Sequence, residues 1–510
     1  MTSFVSLLPQ FTGSTFPAPS IPGLSPDEQS LVTGLSSKLT YQSATLRIRN
    51  DYYDGEQRLA NLGVSIPDQL ASIRTVVDWP RICVDPLVMR QVLDGFRLPG
   101  ATDVDDELRE HWAANDLDAE APLCFLDSLV YRCGYMIVGS PDSPGDSPIV
   151  TAESPLNVTT TWDPRTRKTT AAYQAFEAEG IYVAVLYLPD VTIYMSREQS
   201  GGWKIDDRDE HRLGEVSVVR FVNRSRTGDR EGRSEITPAI MSTTDAAVRS
   251  LLGMEVGREF YSWPHRYGLG MSEADFVGAD GQPKTAMQMS MNKFIALERD
   301  GDGELPTVGQ FQAYDPAVFS KIIDTHAKLM ASFTQFPPDY FGLVSTANPA
   351  SADAIRVAFD GMNRRGKAVQ NQNTAPLRRT AGLIWRHANN GAELPPEMKR
   401  VTPEWVDVET FTPGAMSDAM FKQASMGAVP PTSDVVLKKL GWNAADREQL
   451  SIDRKVDAGA SILAELAHSL AAKEARVDLS VARDINPAAV KATVPTSPTS
   501  NAPPNAPAAP

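Results

Sequence analysis

Residues 236–264, ITPAIMSTTDAAVRSLLGMEVGREFYSWP, and residues 315–342, DPAVFSKIIDTHAKLMASFTQFPPDYFG, decide the fold. The first stretch predicts a helix from about Ile236 to Phe260. It carries few charges before Arg249, and small or apolar residues cover much of its surface, so it needs neighbours on several sides. Other copies of the same chain would supply them. The second predicts a helix from about Pro316 to Phe333, with Phe319, Ile322, Ile323, Ala327, Leu329 and Met330 available for packing, and Pro337-Pro338 stops it. Between the two the sequence is rich in Gly and turn residues. MNKFIALE (291–298) is its clearest strand and DGDGELP (300–306) its clearest turn, so it separates two helices rather than building a large core.

Toward the N-terminus the period changes. NVTTTW, IYVAVLYLP, VTIYMS and VSVVRFVN, between about 135 and 222, alternate as strands and predict an antiparallel sheet. It follows a helical opening: SPDEQSLVTGLSSKL and TYQSATLRIRNDYYDGEQRL read as two helices, the first with Ser25 at its cap and Pro26 directly after. VDWPRICVDPLVMRQVLDGFR holds a short helical stretch before a polar turn at Asp94-Gly95. The segment 103–120 contains eight acids against Arg109 and reads as a solvated helix face leading into the next helix. Toward the C-terminus, SADAIRVAFDGMNRRGKAVQNQ and APLRRTAGLIWRHANN read as two further helices, with Pro376 in the first turn of the latter. A last helix is expected from about Ala444 to Val477. The final 25 residues hold seven prolines and one charge, Lys491, a composition expected to be disordered or ordered only by contact.

A length of 510 residues with 42% hydrophobic content fits about two to four domains with real cores. The formal charge of -15, from 49 Lys and Arg against 64 Asp and Glu, argues against a protein that coats nucleic acid and leaves room only for local basic patches. Cys83, Cys124 and Cys133 cannot make a disulfide framework. The start lacks a basic segment followed by a continuous apolar core, and no stretch reaches the roughly 18 apolar residues of a membrane span. The chain therefore reads as cytosolic, neither exported nor membrane-bound, and the sequons at Asn157 and Asn223 as chance matches.

Local signatures of catalysis are missing. GMNRRGKA (361–368) resembles a phosphate loop, but Ala368 replaces the magnesium-holding hydroxyl and a helix, not a buried strand, precedes it. The six histidines fall in no metal-ligand spacing and read as single surface or packing residues. DGDGELP completes no calcium loop. No catalytic, cofactor-binding or metal-ligating residue is expected, and no cofactor. One electrostatic feature stands out: the interval 361–392 holds Arg364, Arg365, Lys367, Arg378, Arg379 and Arg386 and no acid. Either these groups pair with acids on a neighbour such as the 103–120 cluster, or some of them, Arg364, Arg365 and Lys367 first, approach the phosphate backbone in a ring or channel.

The order of segments resembles the portal (head-tail connector) proteins of tailed bacteriophages with long, non-contractile tails that infect actinobacterial hosts. The resemblance rests on NDYYDGEQRLANLGVSIP (50–67), VDWPRICVDPLVMRQVLDGFR (77–97), LDSLVYRCGYMIVG (126–139), GRSEITPAI (232–240) and FPPDYFGLVSTANPASADAIR (336–356), and covers about residues 28–445. It implies an α+β fold with a helical stem, a clip, a mixed α/β wing and a helical crown. In this chain that means an N-terminal arm (1–24), a wing (25–235), a first stem helix (236–266), a clip (267–312) and a second stem helix (313–336). A channel loop and wing helices (337–410), crown helices (411–482) and a Pro/Ala-rich tail (483–510) would follow. The resemblance also implies a homo-oligomeric ring, usually of twelve subunits, at one vertex of the virion capsid. Such a ring is assembled in the host cytoplasm and passes double-stranded DNA during packaging and ejection. Its implied partners are the terminase large subunit, which carries the packaging ATPase, head-completion or adaptor proteins, and major capsid and scaffold proteins. No membrane and no enzymatic activity are implied. The alternatives are another phage head structural or minor capsid protein without a DNA channel, and a soluble hydrolase.

Overall fold

The computed structural model describes residues 20–57, 75–101, 103–141, 143, 145–261, 266–269, 307–310, 315–343, 352–409, 413–430, 433–442 and 444–483. The chain divides into two compact units, Met1–Glu409 and Thr410–Pro510.

Helix α1 (Pro26–Tyr53) opens on a capping box: Ser25 Oγ accepts the Glu28 amide at 3.3 Å and the Glu28 carboxylate accepts the Ser25 amide at 2.8 Å. It is a single helix where two were expected. Val32, Leu35, Leu39, Gln42 and Leu46 form one unbroken buried stripe across the expected break, so packing carries the helix through it. The end of the N-terminal arm is tied down within the chain. Ile21 is buried with Val32, Leu35 and Leu39, and its amide donates to Gln29 Oε1 at 3.0 Å. Residues 1–19, MNKFIALE, DGDGELP and the tail from 484 lie outside the described residues.

Short helices α2 (Trp79–Ile82) and α3 (Asp85–Val88) precede strand β1 (Leu93–Arg97), which pairs antiparallel with Thr402–Trp405. Asp94-Gly95 therefore lies inside a strand rather than in a turn, and a register shift between Leu93 and Gly95 marks a bulge there. The acidic stretch 103–120 begins helices α4 (Asp106–Ala114) and α5 (Leu117–Val130). Asp105 caps α4 by accepting the Leu108 amide at 2.9 Å, and Asp118 takes Arg109 at 2.9 Å and the Trp112 indole N–H at 3.0 Å.

Strands β2 (Cys133–Gly139), β3 (Ile149–Glu153), β4 (Val158–Trp162), β5 (Thr169–Ala178), β6 (Ile181–Tyr187), β7 (Thr192–Glu198), β8 (Lys204–Asp209) and β9 (Val218–Val222) form two antiparallel sheets among the described residues. The order is β3-β2-β9 in one and β4-β5-β6-β7-β8 in the other. Alternation along the strands sorts side chains into layers. Ala171, Tyr173, Leu186 and Met195 face α1; Ala172, Val185 and Tyr187 meet Tyr135, Ile137 and Val218 between the sheets; Met136 and Val138 turn the other way onto Phe125, Leu377 and Ile384. Gln42 stitches α1 to this stack. Its amide donates to the carbonyls of Pro155 and Val158 at 2.7 and 2.9 Å and its oxygen accepts the Thr159 hydroxyl at 3.1 Å. Gln42→Leu strands those buried groups and is expected to cost about 2 kcal/mol in urea unfolding. A loss below about 0.5 kcal/mol would show that the stitch adds nothing.

Beyond the sheets come helix α6 (Pro238–Tyr261), the paired strands β10 (Arg266–Leu269) and β11 (Thr307–Gln310), and helix α7 (Ala317–Thr334). Helix α8 (Ala352–Ala388) and strand β12 (Thr402–Trp405) complete the unit. Helix α8 is one element where two were expected, with Pro376 inside it. Buried Val369, Asn373, Leu377 and Ala381 hold the helix on both sides of the proline. At about 1.5 Å per residue α8 spans about 55 Å. Met362 and Val369 join the core of α6 and α7, and Leu377 and Ile384 join the core beneath β2 and β9.

The second unit holds helices α9 (Pro413–Ser425), α10 (Asp434–Lys439, capped by Ser433) and α11 (Ala444–Arg483). Among the described residues, no helix is long and apolar enough to cross a membrane.

Candidate functional site

The segment between β9 and α6 is built to hold one conformation. Gly232 has φ of +85°, and a Cβ there would lie 2.6 Å from Arg132 O, 2.7 Å from a Val222 methyl and 2.8 Å from Asn223 O, so only glycine fits. Ser234 donates its hydroxyl to the carbonyl of Val130, and the Glu235 amide donates to Leu129 O at 2.8 Å. Ile236 is buried and Pro238 starts α6.

Two carboxylates in this segment gather cations from distant elements. Glu231 meets Arg220 of β9 at 2.7 Å, Lys38 of α1 at 3.3 Å and Arg132 at 3.9 Å. Burial would raise its pKa, but Arg220, Lys38 and Arg132 outweigh burial and hold the carboxyl below its ordinary range. Glu235 is more deeply enclosed, its side chain 6% exposed. It accepts from Arg224 at 2.6 Å, from the Asn223 amide at 2.8 Å and from Arg365 of α8, which also donates to Asn223 Oδ1 at 2.6 Å. This cluster joins the end of β9, the approach to α6 and the first half of α8.

The basic interval on α8 is thereby divided. Arg365 is 17% exposed and turned into the Glu235 cluster. Arg378 donates to Val401 O at 2.8 Å and Arg386 pairs with Glu215 at 2.9 Å. Arg364 and Lys367 face outward, Arg364 pairing with Asp360 one turn away at 2.9 Å and Lys367 donating to Gln370 at 3.2 Å. The acidic partners of Arg365, Arg386 and Arg364 among the described residues are thus Glu235, Glu215 and Asp360, while Asp105 and Asp118 of the 103–120 segment serve the starts of α4 and α5. Gly361, part of the phosphate-loop look-alike, lies in α8 where a Cβ would meet Gln335 O at 2.8 Å. That glycine permits the close approach of α8 to the end of α7.

The other segments singled out in the sequence converge on the same place. Tyr52 donates to Asp245 of α6 at 2.8 Å, Tyr53 to Asp85 at 2.7 Å, and Arg90 to Asn363 of α8 at 3.1 Å. Gln370 of α8 donates to the carbonyls of Arg90 and Val406 at 2.9 and 3.0 Å. Phe341 meets Trp79 edge-on at 6.3 Å, and Tyr340 bridges Phe336 and Phe359. Residues 344–351, within the expected channel loop, lie outside the described residues. Helix α7 packs Phe319, Ala327 and Met330 inward, with Phe319 close against Gly253 of α6. Val318, Ile322, Leu329 and Phe333 form a second apolar stripe on α7 that faces outward, 40–53% exposed.

The family model described as "Phage portal protein, SPP1 Gp6-like" matches residues 36–449. The chain belongs to this portal protein family. It is 34% identical over 426 residues to the portal protein of Mycobacterium phage D29, covering 80% of this chain and 85% of that one. To the portal protein of Mycobacterium phage L5 it is 32% identical over 449 residues, covering 84% and 89%. A chain of the native gene transfer agent virion aligns over 79% of this chain and 94% of its own, with a TM-score of 0.40 and 13% identity. The portal-family match encloses the Glu235 cluster, α6, α7 and the whole of α8. It ends before residues 450–483 of α11.

Sequence reading missed Glu235, Asn223 and Arg224, and treated Asn223 only as a sequon. The one local signal was a lone acid two residues before the helix-opening Thr237-Pro238, since Arg365 is 130 positions away. Among the described residues no three His, Cys, Asp or Glu side chains converge as metal ligands.

His387 is buried near the end of α8, 3.1 Å from Ser217 Oγ and 3.4 Å from Ser140 Oγ, which donates to Asp209 at 2.7 Å; the His211 ring centre is 5.8 Å away. Burial, then His211 and Arg386, lower its pKa to about 4 against the opposing pull of Asp209. The folded state thus favours neutral His387, and its contribution is complete above pH 6.5 and lost as pH falls from 6.5 toward 4. That difference amounts to up to about 3 kcal/mol. Asp127, pushed up to about 7 chiefly by burial, works in the opposite direction over this window. The expected result is therefore differential: His387→Gln should lose less stability than the parent between pH 7 and pH 4 in urea titrations. Parallel losses would remove His387 as the acid-sensitive group.

Proposed function

We propose that this portal-family chain forms a homo-oligomeric ring, of twelve copies, at one capsid vertex, through which double-stranded DNA is packaged and ejected. In that reading α6 and α7 are stem helices, β10 and β11 are the base of a clip, the sheets and α1 form the wing, and the second unit contributes the crown. The terminase large subunit and head-completion proteins would dock on the ring, and capsid and scaffold proteins would surround it. The observation that carries the reading is α7. Its inner face is spent on α6, yet Val318, Ile322, Leu329 and Phe333 remain exposed as a second stripe. A closed ring covers such a stripe with a neighbouring copy. Negative-stain microscopy of the purified chain should show twelvefold rings with a central pore, and a compact monomer would overturn the assignment.

The charge of -15 suits a conduit, because scattered cations in an acidic wall touch phosphate without gripping it. Of the cations nominated from sequence, we assign this role to Arg364 and Lys367, which are exposed, and not to Arg365, which is enclosed against Glu235. Arg364→Gln with Lys367→Gln should leave stability within about 0.5 kcal/mol and flatten the salt dependence of DNA association. An unchanged salt slope would sink the phosphate role.

A further inference from the structure

The cations around Glu231 outnumber it. Its single charge is taken up by Arg220 at 2.7 Å and Lys38 at 3.3 Å, which leaves Arg132 at 3.9 Å, beyond hydrogen-bond reach. Beside Arg132 stands a second arginine with no acid of its own. The Arg49 side chain, on α1, makes no hydrogen bond or ion pair among the described residues. Their neighbours in sequence hold the two together: the Tyr131 hydroxyl donates to Asn50 Oδ1 at 2.5 Å and pins the end of α5 to α1. Burial, and then the charge of Arg132, pull the Arg49 pKa below the ordinary arginine range. A guanidinium does not shed its proton near neutral pH, so the like-charge tension stays in the fold.

Donors are left over as well. Nε of Arg49 and Nε of Arg132 are both buried, and neither meets an acceptor among the described residues. An Nε–H beside an Nη–H is an edge on which a guanidinium takes an oxyanion by two parallel bonds. The backbone gives a third sign. Arg132 has φ of +140°, a conformation that favours glycine, and its carbonyl accepts the Asn223 amide at 2.9 Å, which glycine would do as well. The arginine side chain is thus the reason for a residue other than glycine at this position.

We propose that Arg49 and Arg132 form a binding site for a phosphate dianion at the junction of α1, the start of β2 and the segment before α6. Charge selects the ligand. One dianion neutralises two unbalanced guanidiniums, whereas a partner's carboxylate or one phosphodiester of a nucleic acid brings a single charge and leaves an arginine uncompensated. Phosphate also offers enough acceptor oxygens to serve both guanidinium edges at once. Bound there, it ties α1 through Arg132 to the Glu231 cluster and so steadies the approach to α6. The site is built within one copy of the chain and stands apart from the ring reading.

Urea unfolding of the full-length chain at about pH 8, where phosphate is mainly the dianion, tests the proposal, with inorganic phosphate exchanged for sodium chloride at constant ionic strength. Past half-saturation the parent's unfolding constant should fall about tenfold for each tenfold rise in phosphate. Arg49→Met keeps the apolar stem and removes the charge. Without phosphate its unfolding constant should be no larger than the parent's, because a repulsion has gone, and the specific response to phosphate should be lost. Arg132→Gly, which suits the local backbone, should lose the response too. The general salting effect of phosphate acts on all three proteins and cancels in the comparison. Equal responses in the parent and both variants would overturn the site. An Arg49→Met protein that is weaker than the parent without phosphate, yet responds like it, would make Arg49 a packing residue and overturn the site as well. Glycerol 2-phosphate separates the sources: a response equal to that of inorganic phosphate admits a monoester, and a response to the inorganic ion alone confines the site to the free ion. A duplex oligonucleotide without terminal phosphates that gives the same Arg49-dependent response would overturn the choice of a dianion.

Discussion

Gly134→Ala is expected to be the most damaging small substitution in the chain, destabilising the first unit by more than about 4 kcal/mol and leaving little soluble protein. Gly134 is the second residue of β2, where the strand passes directly under α5. An added Cβ would sit 2.3 Å from the carbonyl oxygen of Cys124, 3.2 Å from its carbonyl carbon and 2.9 Å from its sulfur. The obstruction is helix backbone, so no rotamer relieves it. Moving α5 would disturb Phe125 and Leu129, both buried beneath it, and moving β2 would break its pairing with β9 at Gly134 and Phe221. Gly139→Ala supplies the control. It lies in the same strand, yet its nearest neighbour is 3.8 Å away, an ordinary contact, and its cost should stay within about 1 kcal/mol. Urea unfolding of both variants checks the pair. If Gly134→Ala unfolds within about 1 kcal/mol of the parent, the close approach of α5 to β2 is not as tight as described.

How far the sequence carries a reader depends on whether the information is local. Strands β6, β7 and β9 are rich in Ile, Val, Tyr and Thr and announce themselves. Helices α6 and α7 follow from apolar spacing and from the prolines that bound them. Strand β5, TTAAYQAFEA, was not foreseen because Ala, Gln and Glu carry no strand preference. It is held as a strand by pairing along its length with β4 and β6. The continuity of α8 was hidden for a related reason. Gly361, Gly366 and Pro376 are locally helix-weakening, and the cores that override them are built largely from residues on other, mostly distant elements. The basic interval 361–392 was visible as composition, but which cation turns inward is set by Glu235 and Glu215, and no local pattern connects those acids to α8.

Glu235→Gln is the second large effect expected, about 3–5 kcal/mol in denaturant unfolding. The substitution keeps shape and removes charge, so it isolates electrostatics from packing. Of the two arginines on Glu235, Arg224 is 42% exposed and can turn to water, but Arg365 is 17% exposed and would remain enclosed without a counter-charge. The penalty is therefore mainly that of stranding Arg365, and two consequences follow. Adding Arg365→Met to Glu235→Gln should restore most of the loss, giving a coupling above about 2 kcal/mol in a double-mutant cycle. The loss should also persist at high salt, where a solvent-facing pair such as Arg364 with Asp360 would already be screened. Because Glu235 stands three residues before α6 and its partner lies on α8, the single-variant subunits should also lose the fixed angle between those helices. In the ring reading they should assemble incompletely. Additive losses in the cycle would show that Glu235 and Arg365 act separately, and the link between the start of α6 and the long helix would then have to come from the Tyr52–Asp245 and Arg90–Asn363 contacts instead.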